Sequence, residues 1–566
     1  MSLPAAQISN TEDTVVARLL EHYAKAPDRL FCRLYVDEQA TAISYRRLID
    51  TALRYGAAYR QAGAAPGERV IVLFEHDPDM LYAFFGAMLA GLVPTFMPPL
   101  TPKQDPDHFW AAQAQVTERI GARLLVTSNT LKASIEANLM DARFQVLTPD
   151  SVGEEAIDPI LPAKGDIAFL QHSSGTTSVK KGVVLTHEAV LAQVDAYGDA
   201  IHLTSDDFIA SWLPLYHDMG FIACCILPAL KRVPVVLLDA MSWVMRPADL
   251  LDMIERHRAT LTWLPNFAFQ HLASTLPADA HYDLTSLRAV INCSEPCRPE
   301  TVANFLGRFS RMGVRPETVQ ACYAMAENTF AVTQTRFGMA PHTVRIKPSP
   351  FQHHNLAVTA QGGEPALSFF SCGTRVRGVG VQIVDDNREP LGERQIGEIA
   401  VTGACLADGY FEQADETKSR FDDDWYYTGD LGFMISGELY VTGRKDDLLI
   451  LNGRNYYAHD LEHLLNDIEG VCPGRTIAIG AYDAALGSQA LIILAETELN
   501  DDEARETLKK MIRQKLSHEI NVTPQRIELL PRRWLIKSTS GKISRAATLE
   551  RFYNELSTGK PGNGGL

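Results

Sequence analysis

The stretch QHSSGTTSVKKGVVLTH, residues 171–187, gathers hydroxyls, glycines and lysines between two apolar runs. A glycine-containing turn leading from a strand into a helix exposes several backbone N–H groups, and a nearby lysine adds charge, so such a turn can cradle phosphates. Here Ser173, Ser174, Thr176 and Thr177 add hydroxyl donors around Gly175, and Lys181 supplies the positive charge. It is not a Walker loop, because the glycine–lysine–serine/threonine ending is absent. Taken alone, the stretch fits a surface hairpin loop as well as a phosphate cradle.

Positioning such a loop requires a sheet with helices packed on it. From about residue 14 to 440, strand-like runs alternate with helical periodicity: ERVIVLF precedes an apolar helix, ARLLVTS precedes TLKASIEANL, and VPVVLLD precedes PADLLDMIERH. This alternation predicts an α/β fold with parallel sheets covered by helices. From about residue 366 short strands with turns, such as GVQIVDDN and GEIAVTG, predict a β-rich subdomain. After GELYVTGRKDD comes a smaller α+β unit, whose helix DDEARETLKKMIRQKLSHEI is strongly charged. The expected division is a large N-terminal domain over 1–443, a small mobile C-terminal domain over 444–556, and a polar, glycine-rich, disordered tail over 557–566.

A chain of 566 residues is too long for a single core. Its formal net charge of −16 argues against a nucleic-acid partner, whose binding surface would have to be basic. The nine cysteines are scattered, and Cys293 and Cys297 lack the second pair that would complete a zinc site. Reduced thiols in a cytoplasmic protein are therefore expected. The opening MSLPAAQISNTEDTVV does not have the charged and apolar regions of a signal peptide. MLYAFFGAMLAGLVPTFMPPL, residues 80–100, is uncharged over a membrane-spanning length. Asp77 as N-cap, Pro78 at the first helical position, Gly91 as a stop, and Pro94, Pro98 and Pro99 beyond it predict a buried helix and a short buried strand instead of membrane insertion.

Further stretches follow the loop in order: SWLPLYHDMGF (211–221), INCSEP (291–296), CYAMAENT (322–329), WYYTGDLGF (425–433), GELYVTGRKDD (437–447) and STSGKISR (538–545). In this order and at these separations they resemble the signature set of the AMP-forming adenylating superfamily, over roughly residues 14 to 553. Within it the resemblance is to the fatty acyl-AMP ligases, through LPLYHDMG and through GELYVTGRKDDLLILNGRNYYAHDLE. About 43 residues separate Glu327 from Ser371, longer than the usual connection in acyl-CoA synthetases, and an insertion there marks the acyl-AMP ligases. Its strand-like pieces HTVRIK and ALSFFSC predict a folded element.

The resemblance implies attack of a carboxylate on the α-phosphate of ATP with loss of pyrophosphate, which requires positive charge and aligned oxygens. It assigns Lys542 to bridge carboxylate and α-phosphate, Glu327 to bind Mg2+, and Thr176 and Thr177 to the phosphates with Ser173, Ser174, Gly175 and Lys181. Tyr323 would stack on adenine beside Ser294, Glu295 and Pro296, while Asp430 and Arg444 would grip the ribose hydroxyls. Asp446, or its neighbour Asp447, falls at the hinge of the small domain. His217 and Asp218 would line the path from acyl pocket to nucleotide. The pocket itself is expected around TWLPNFAF, with Trp263, Pro265, Asn266 and Phe267, whose apolar character suits a hydrophobic acid. His353 and His354 have no partners at ligand spacing and are expected on the surface.

Three positions depart from the pattern: Ser178 and Lys180 replace a glycine and a proline in the loop, and Ala324 replaces the glycine after the motif tyrosine. They put the rate of adenylation in doubt more than its occurrence, since Glu327, Asp430, Arg444 and Lys542 remain. The expected function is thus ATP-dependent activation of a fatty acid to an acyl-adenylate, with the acyl group passed to a carrier protein. One alternative is an acyl-CoA synthetase ending on CoA, and a second is a degenerate module that holds acyl-adenylate. A locally basic segment, with Lys509, Lys510, Arg513, Lys515, Arg532, Arg533 and Arg551, would either dock an acidic carrier protein or be a solvated helix face.

Overall fold

The computed structural model describes residues 12–101, 104–139, 144–172, 181–451, 454–483, 488–520, 522–537 and 543–555. Its architecture is α/β, with a large N-terminal body and a small C-terminal α+β unit. The body is built on a 14-stranded sheet. Strands Leu30–Val36, Val235–Leu237, Ile209–Ser211, Leu261–Leu264, Ala289–Asn292 and Val319–Ala324 lie side by side and parallel. Their residues are almost all buried, as a parallel sheet covered on both faces requires. A second, four-stranded parallel sheet runs Val93–Phe96, Arg69–Leu73, Leu124–Thr127, Gln145–Leu147.

The β-rich part is continuous with the first sheet. Beyond Val319–Ala324 the sheet turns antiparallel, through Ala331–Gln334, Thr374–Arg375, Glu438–Arg444, Trp425–Ile435, Gly397–Gly403 and Val379–Val384. The insertion is folded, as expected. Its strands Thr343–Ile346 and Leu367–Phe370 pair antiparallel, and helix Pro348–His354 lies between them with His353 and His354 exposed.

The small unit has a three-stranded sheet, Thr476–Asp483, Ser488–Glu496 and Arg526–Leu530, with helices Ala458–Leu465, Asp502–Ile520 and Arg545–Glu555. Leu461, Leu508, Ile512, Leu516 and Ile493 form one of its cores, and Ile477, Leu494, Trp534 and Phe552 another. The expected disordered tail, 557–566, lies outside the described residues.

Two sequence readings are corrected. The loop after residue 172 does not lead from a strand into a helix. Strands Ile167–His172 and Gly182–Thr186 pair antiparallel, so the stretch joins the arms of a hairpin, and helix His187–Ala200 begins only after the second arm, with Thr186 capping Ala189 N–H. The apolar run VVL forms the second strand, as the hairpin alternative requires. The apolar helix runs Asp79–Leu89 with Pro78 at the cap, one residue later than expected, because the Asp77 carboxylate accepts from Asp79 N–H. The buried strand Val93–Phe96 follows it, and among the described residues no helix is long and apolar enough to cross a membrane.

That apolar helix is buried on all sides between helix Tyr45–Gln61 and the rings of Phe96, Phe169 and Phe221, and Gly86 sets the closeness of the helix pair. A β-carbon at Gly86 would lie 2.5 Å from the Ala52 carbonyl oxygen and 2.7 Å from Tyr55 Cβ. Neither backbone can yield without separating the helices. Gly86→Ala should therefore destabilise the large body by about 2 kcal/mol, read as a lowered midpoint in chemical denaturation. An unchanged midpoint would show that the helix pair has slack.

Candidate active site

Three side chains that the sequence separates widely meet at the point where the sheet changes from parallel to antiparallel. Tyr323, near the end of strand Val319–Ala324, donates its hydroxyl to Asp430 Oδ2 at 2.6 Å. Asp430 lies directly opposite Arg444 in the ladder between Trp425–Ile435 and Glu438–Arg444, and Arg444 Nε stands 3.4 Å from Asp430 Oδ1. The Asp430 N–H in turn donates to Thr428 Oγ1, which fixes the tight turn. Burial, together with the Asp430 charge, pushes the Tyr323 phenol far up, so it stays a donor. The result is a carboxylate that accepts from one phenol and stands in ion-pair range of Arg444, which is half-buried beside it and whose guanidinium Asp430 keeps charged despite burial. Such a set can grip a vicinal diol, with Asp430 accepting and Arg444 donating.

Glu327 lies nearby on the turn Ala326–Asn328 and is buried. Its Oε1 accepts from the Tyr410 hydroxyl at 2.8 Å, and Tyr410 also meets the Tyr426 hydroxyl at 3.2 Å. Tyr410 thus orients the carboxylate and is itself held by Tyr426. No cluster of three or more His, Cys, Asp or Glu suited to a metal occurs among the described residues. Glu327 can offer one carboxylate oxygen to a hard cation, and an oxygen donor of this kind suits Mg2+.

Lys181 is placed differently from a bare phosphate ligand. It is ion-paired with Glu416, and its ammonium lies 5.0 Å from the Tyr410 ring centre. Ser173, Ser174, Gly175, Thr176, Thr177, Ser178, Lys180 and Lys542 lie outside the described residues.

The Ser294–Glu295–Pro296 turn and the Pro265–Asn266–Phe267 turn are joined directly. Glu295 accepts from Phe267 N–H at 2.9 Å, while Asn266 Oδ1 accepts from Asn292 Nδ2 at 3.0 Å and from Arg298 N–H at 3.3 Å. Ser294 adopts a left-handed backbone (φ 70°), which turns the chain sharply after strand Ala289–Asn292. Sequence spacing gave no hint of this junction, because 28 residues separate Phe267 from Glu295.

Trp263 is in the core. It is fully buried, and its indole N–H donates to Tyr197 at 2.8 Å. Phe267, by contrast, is 43% exposed and lies edge-on to Trp212 and Trp243, which stack 3.8 Å apart. These two tryptophans were missed by the sequence reading, although Trp212 sits inside SWLPLYHDMGF. In the same motif the Asp218 carboxylate accepts from Met219 N–H at 2.9 Å and caps the π-helix Met219–Ile226, and the His217 ring lies 5.2 Å from that of Tyr216. Gly220 is obligatory here, since a β-carbon would lie 2.4 Å from the Pro214 carbonyl oxygen.

Arg444 leads into the turn Lys445–Asp447. Asp446 borders a cleft with Arg388, Tyr427, Gly429 and Lys445, adjoining Asp430. Asp447 is ion-paired at 2.7 Å with Arg545, which also binds Glu462 at 2.7 Å and the Ala478 carbonyl at 3.1 Å. The turn is thereby tied to the start of helix Arg545–Glu555.

The sequence profile of AMP-binding enzymes matches residues 19–411. The chain is 28% identical over 573 residues to the medium-chain-fatty-acid–[acyl-carrier-protein] ligase JamA of Moorena producens, covering 96% of each chain. It is 31% identical over 520 residues to a putative acyl-CoA synthetase of Caulobacter vibrioides, covering 90% of each. A solved structure from a study of fatty acyl-adenylate ligases of E. coli and L. pneumophila superposes with a TM-score of 0.88 at 26% identity, covering 96% of this chain and 98% of the other.

If Asp430 is the diol-gripping carboxylate, Asp430→Asn should weaken binding of an adenine nucleotide at least ~10-fold, about 1.4 kcal/mol, since it leaves Arg444 without its counter-charge. Titration with a fluorescent ATP analogue measures this, and an unchanged Kd would exclude Asp430 from the nucleotide contact.

Proposed function

Because the chain belongs to the family of AMP-binding enzymes and is an adenylate-forming ligase of the fatty acyl-AMP ligase or acyl-CoA synthetase type, we propose that it activates a fatty acid with ATP and passes the acyl group to a carrier protein. A carboxylate oxygen of the acid attacks the α-phosphorus, the bond from that phosphorus to the β-bridging oxygen breaks, and pyrophosphate leaves. Asp430 and Arg444 hold the ribose, and Tyr323 keeps Asp430 in its gripping orientation while presenting its ring to the adenine. Lys542 neutralises charge between the two anions as they approach. Mg2+, when bound through Glu327, supplies further neutralisation of the phosphates. The acyl chain lies against Phe267, which the buried Trp212–Trp243 stack supports from behind, close to the nucleotide because Glu295 bonds the two turns together.

The choice of acceptor rests on one observation: the insertion packs on the start of the small unit. Phe351 of the insertion helix lies 6.3 Å from the Tyr457 ring, and Asn455 Nδ2 donates to Asn355 Oδ1 at 3.0 Å. Ile346, Phe351, Phe433, Tyr440 and Tyr457 belong to one buried cluster that includes both units. Attack by CoA requires the small unit to rotate, and this cluster opposes the rotation. A net 2 kcal/mol, about the burial of one large apolar side chain, would leave the rotated arrangement populated a few per cent of the time.

The basic segment gives carrier docking less support. Lys509, Lys515, Arg532 and Arg551 are each paired with a carboxylate of the same unit, and only Lys510, Arg513 and Arg533 have no ion pair among the described residues.

Incubation with ATP and a panel of fatty acids, with and without CoA, tests the proposal. Acyl-AMP should accumulate with little acyl-CoA, and Phe351→Ala or removal of residues 340–363 should raise acyl-CoA severalfold while adenylation persists. Efficient acyl-CoA formation by the unaltered protein would favour the CoA synthetase reading. Lys542→Ala should slow adenylation at least ~10²-fold, about 3 kcal/mol of transition-state stabilisation, with ATP affinity little changed. A variant that adenylates at the parent rate would remove Lys542 from the chemistry.

A further inference from the structure

The small unit contains a cavity of about 340 Å³ lined by Arg475, Glu496, Arg532 and Arg533, so three guanidinium groups surround one carboxylate. Glu496 is 1% exposed, and its oxygens are already committed: Arg475 lies 3.4 Å away, and Leu535 N–H donates to it at 2.7 Å. Its role is to hold Arg475 at the cavity wall. Arg532 pairs with Glu498 at 2.6 Å, but both side chains are about two-thirds exposed, and such pairs exchange partners at little cost. Arg533 has no ion pair among the described residues, and its backbone is left-handed (φ 67°), an arrangement that favours glycine. The chain thus keeps an arginine at the rim where a glycine would be less strained.

We propose that this cavity binds an inorganic phosphate-type oxyanion, either phosphate or the pyrophosphate released by the reaction. Planar guanidinium forks match tetrahedral oxyanions, and the lining carries two more positive than negative groups. Neither the nucleotide site nor the acyl site shares any of these four residues, so the proposal does not depend on the proposed function.

Cys472 reports on the cavity. Its N–H donates to the Glu496 carbonyl, its carbonyl accepts from Arg475 N–H, and its partly exposed thiol, whose pKa burial raises, feels Arg532 and Arg475 against Glu498 and Glu496. The test is the alkylation rate of Cys472 in the full-length protein, followed by peptide mass mapping, with added phosphate, pyrophosphate or potassium chloride at matched ionic strength. Phosphate or pyrophosphate should slow Cys472 alkylation at least threefold where chloride does not, and the anion that protects at the lower concentration identifies the source. Arg533→Gly removes the guanidinium while easing the backbone, and Arg532→Ala is a second exposed variant. Both should lose the protection while adenylating at the parent rate. Protection by chloride alone, protection that persists in both variants, or no protection in the parent protein would each overturn the proposal.

Discussion

The hydrogen bond from Tyr323 to Asp430 is the contact on which the site depends. It joins the last parallel strand of the large sheet to a strand that arrives 107 residues later and runs in the antiparallel half. A parallel strand delivers its C-terminal end to the same edge as its neighbours, and the antiparallel strands bring their turns back to that edge. Only because the two halves form one continuous sheet is the Tyr323–Asp430 distance fixed by backbone pairing and not by loops. Arg444 is placed by the same ladder, in register with Asp430.

Around this fixed centre, the parts that must approach one another are coupled by short links. Glu295 bonds Phe267, so the turn expected at the adenine and the turn expected at the acyl chain move together. Arg298 reaches Asp460 of the small unit at 3.2 Å, and Arg545 ties the turn after Arg444 to the helix that follows the lysine motif. The continuous sheet therefore holds the Tyr323–Asp430–Arg444 set, while the small unit contacts the body through the Arg298–Asp460 ion pair, the Asn455–Asn355 hydrogen bond and one aromatic cluster.

Much of this was legible in the sequence, for reasons that differ from part to part. The alternation of strands and helices follows from side-chain periodicity, a local property, and the folded insertion was readable from its two strand-like pieces. Asp430 and Arg444 could be chosen only from the order of the motifs; composition alone marks neither. The stretch 173–180 reads from sequence as a hairpin loop or a phosphate cradle alike, and only the pairing of the flanking strands shows that a second strand precedes the helix. Trp263 was grouped with the acyl turn by adjacency, yet strand alternation and Tyr197 take it into the core. Trp243 could not be paired with Trp212 from sequence, because the stack is made by elements about 30 residues apart. The Lys181–Glu416 and Phe351–Tyr457 contacts were invisible for the same reason: each spans more than 100 residues.

The aromatic cluster of Phe351, Phe369, Phe433 and Tyr457 shares no side chain with the Tyr323–Asp430–Arg444 set. Phe351, Phe369 and Phe433 contribute packing alone, and Tyr457 adds one hydroxyl contact to Thr442, whereas Asp430 contributes a charge that Arg444 faces. Side chains at positions 351 and 457 can therefore be exchanged without touching the Tyr323–Asp430–Arg444 set. The packing of the insertion on the small unit is thus open to gradual change independently of that polar set.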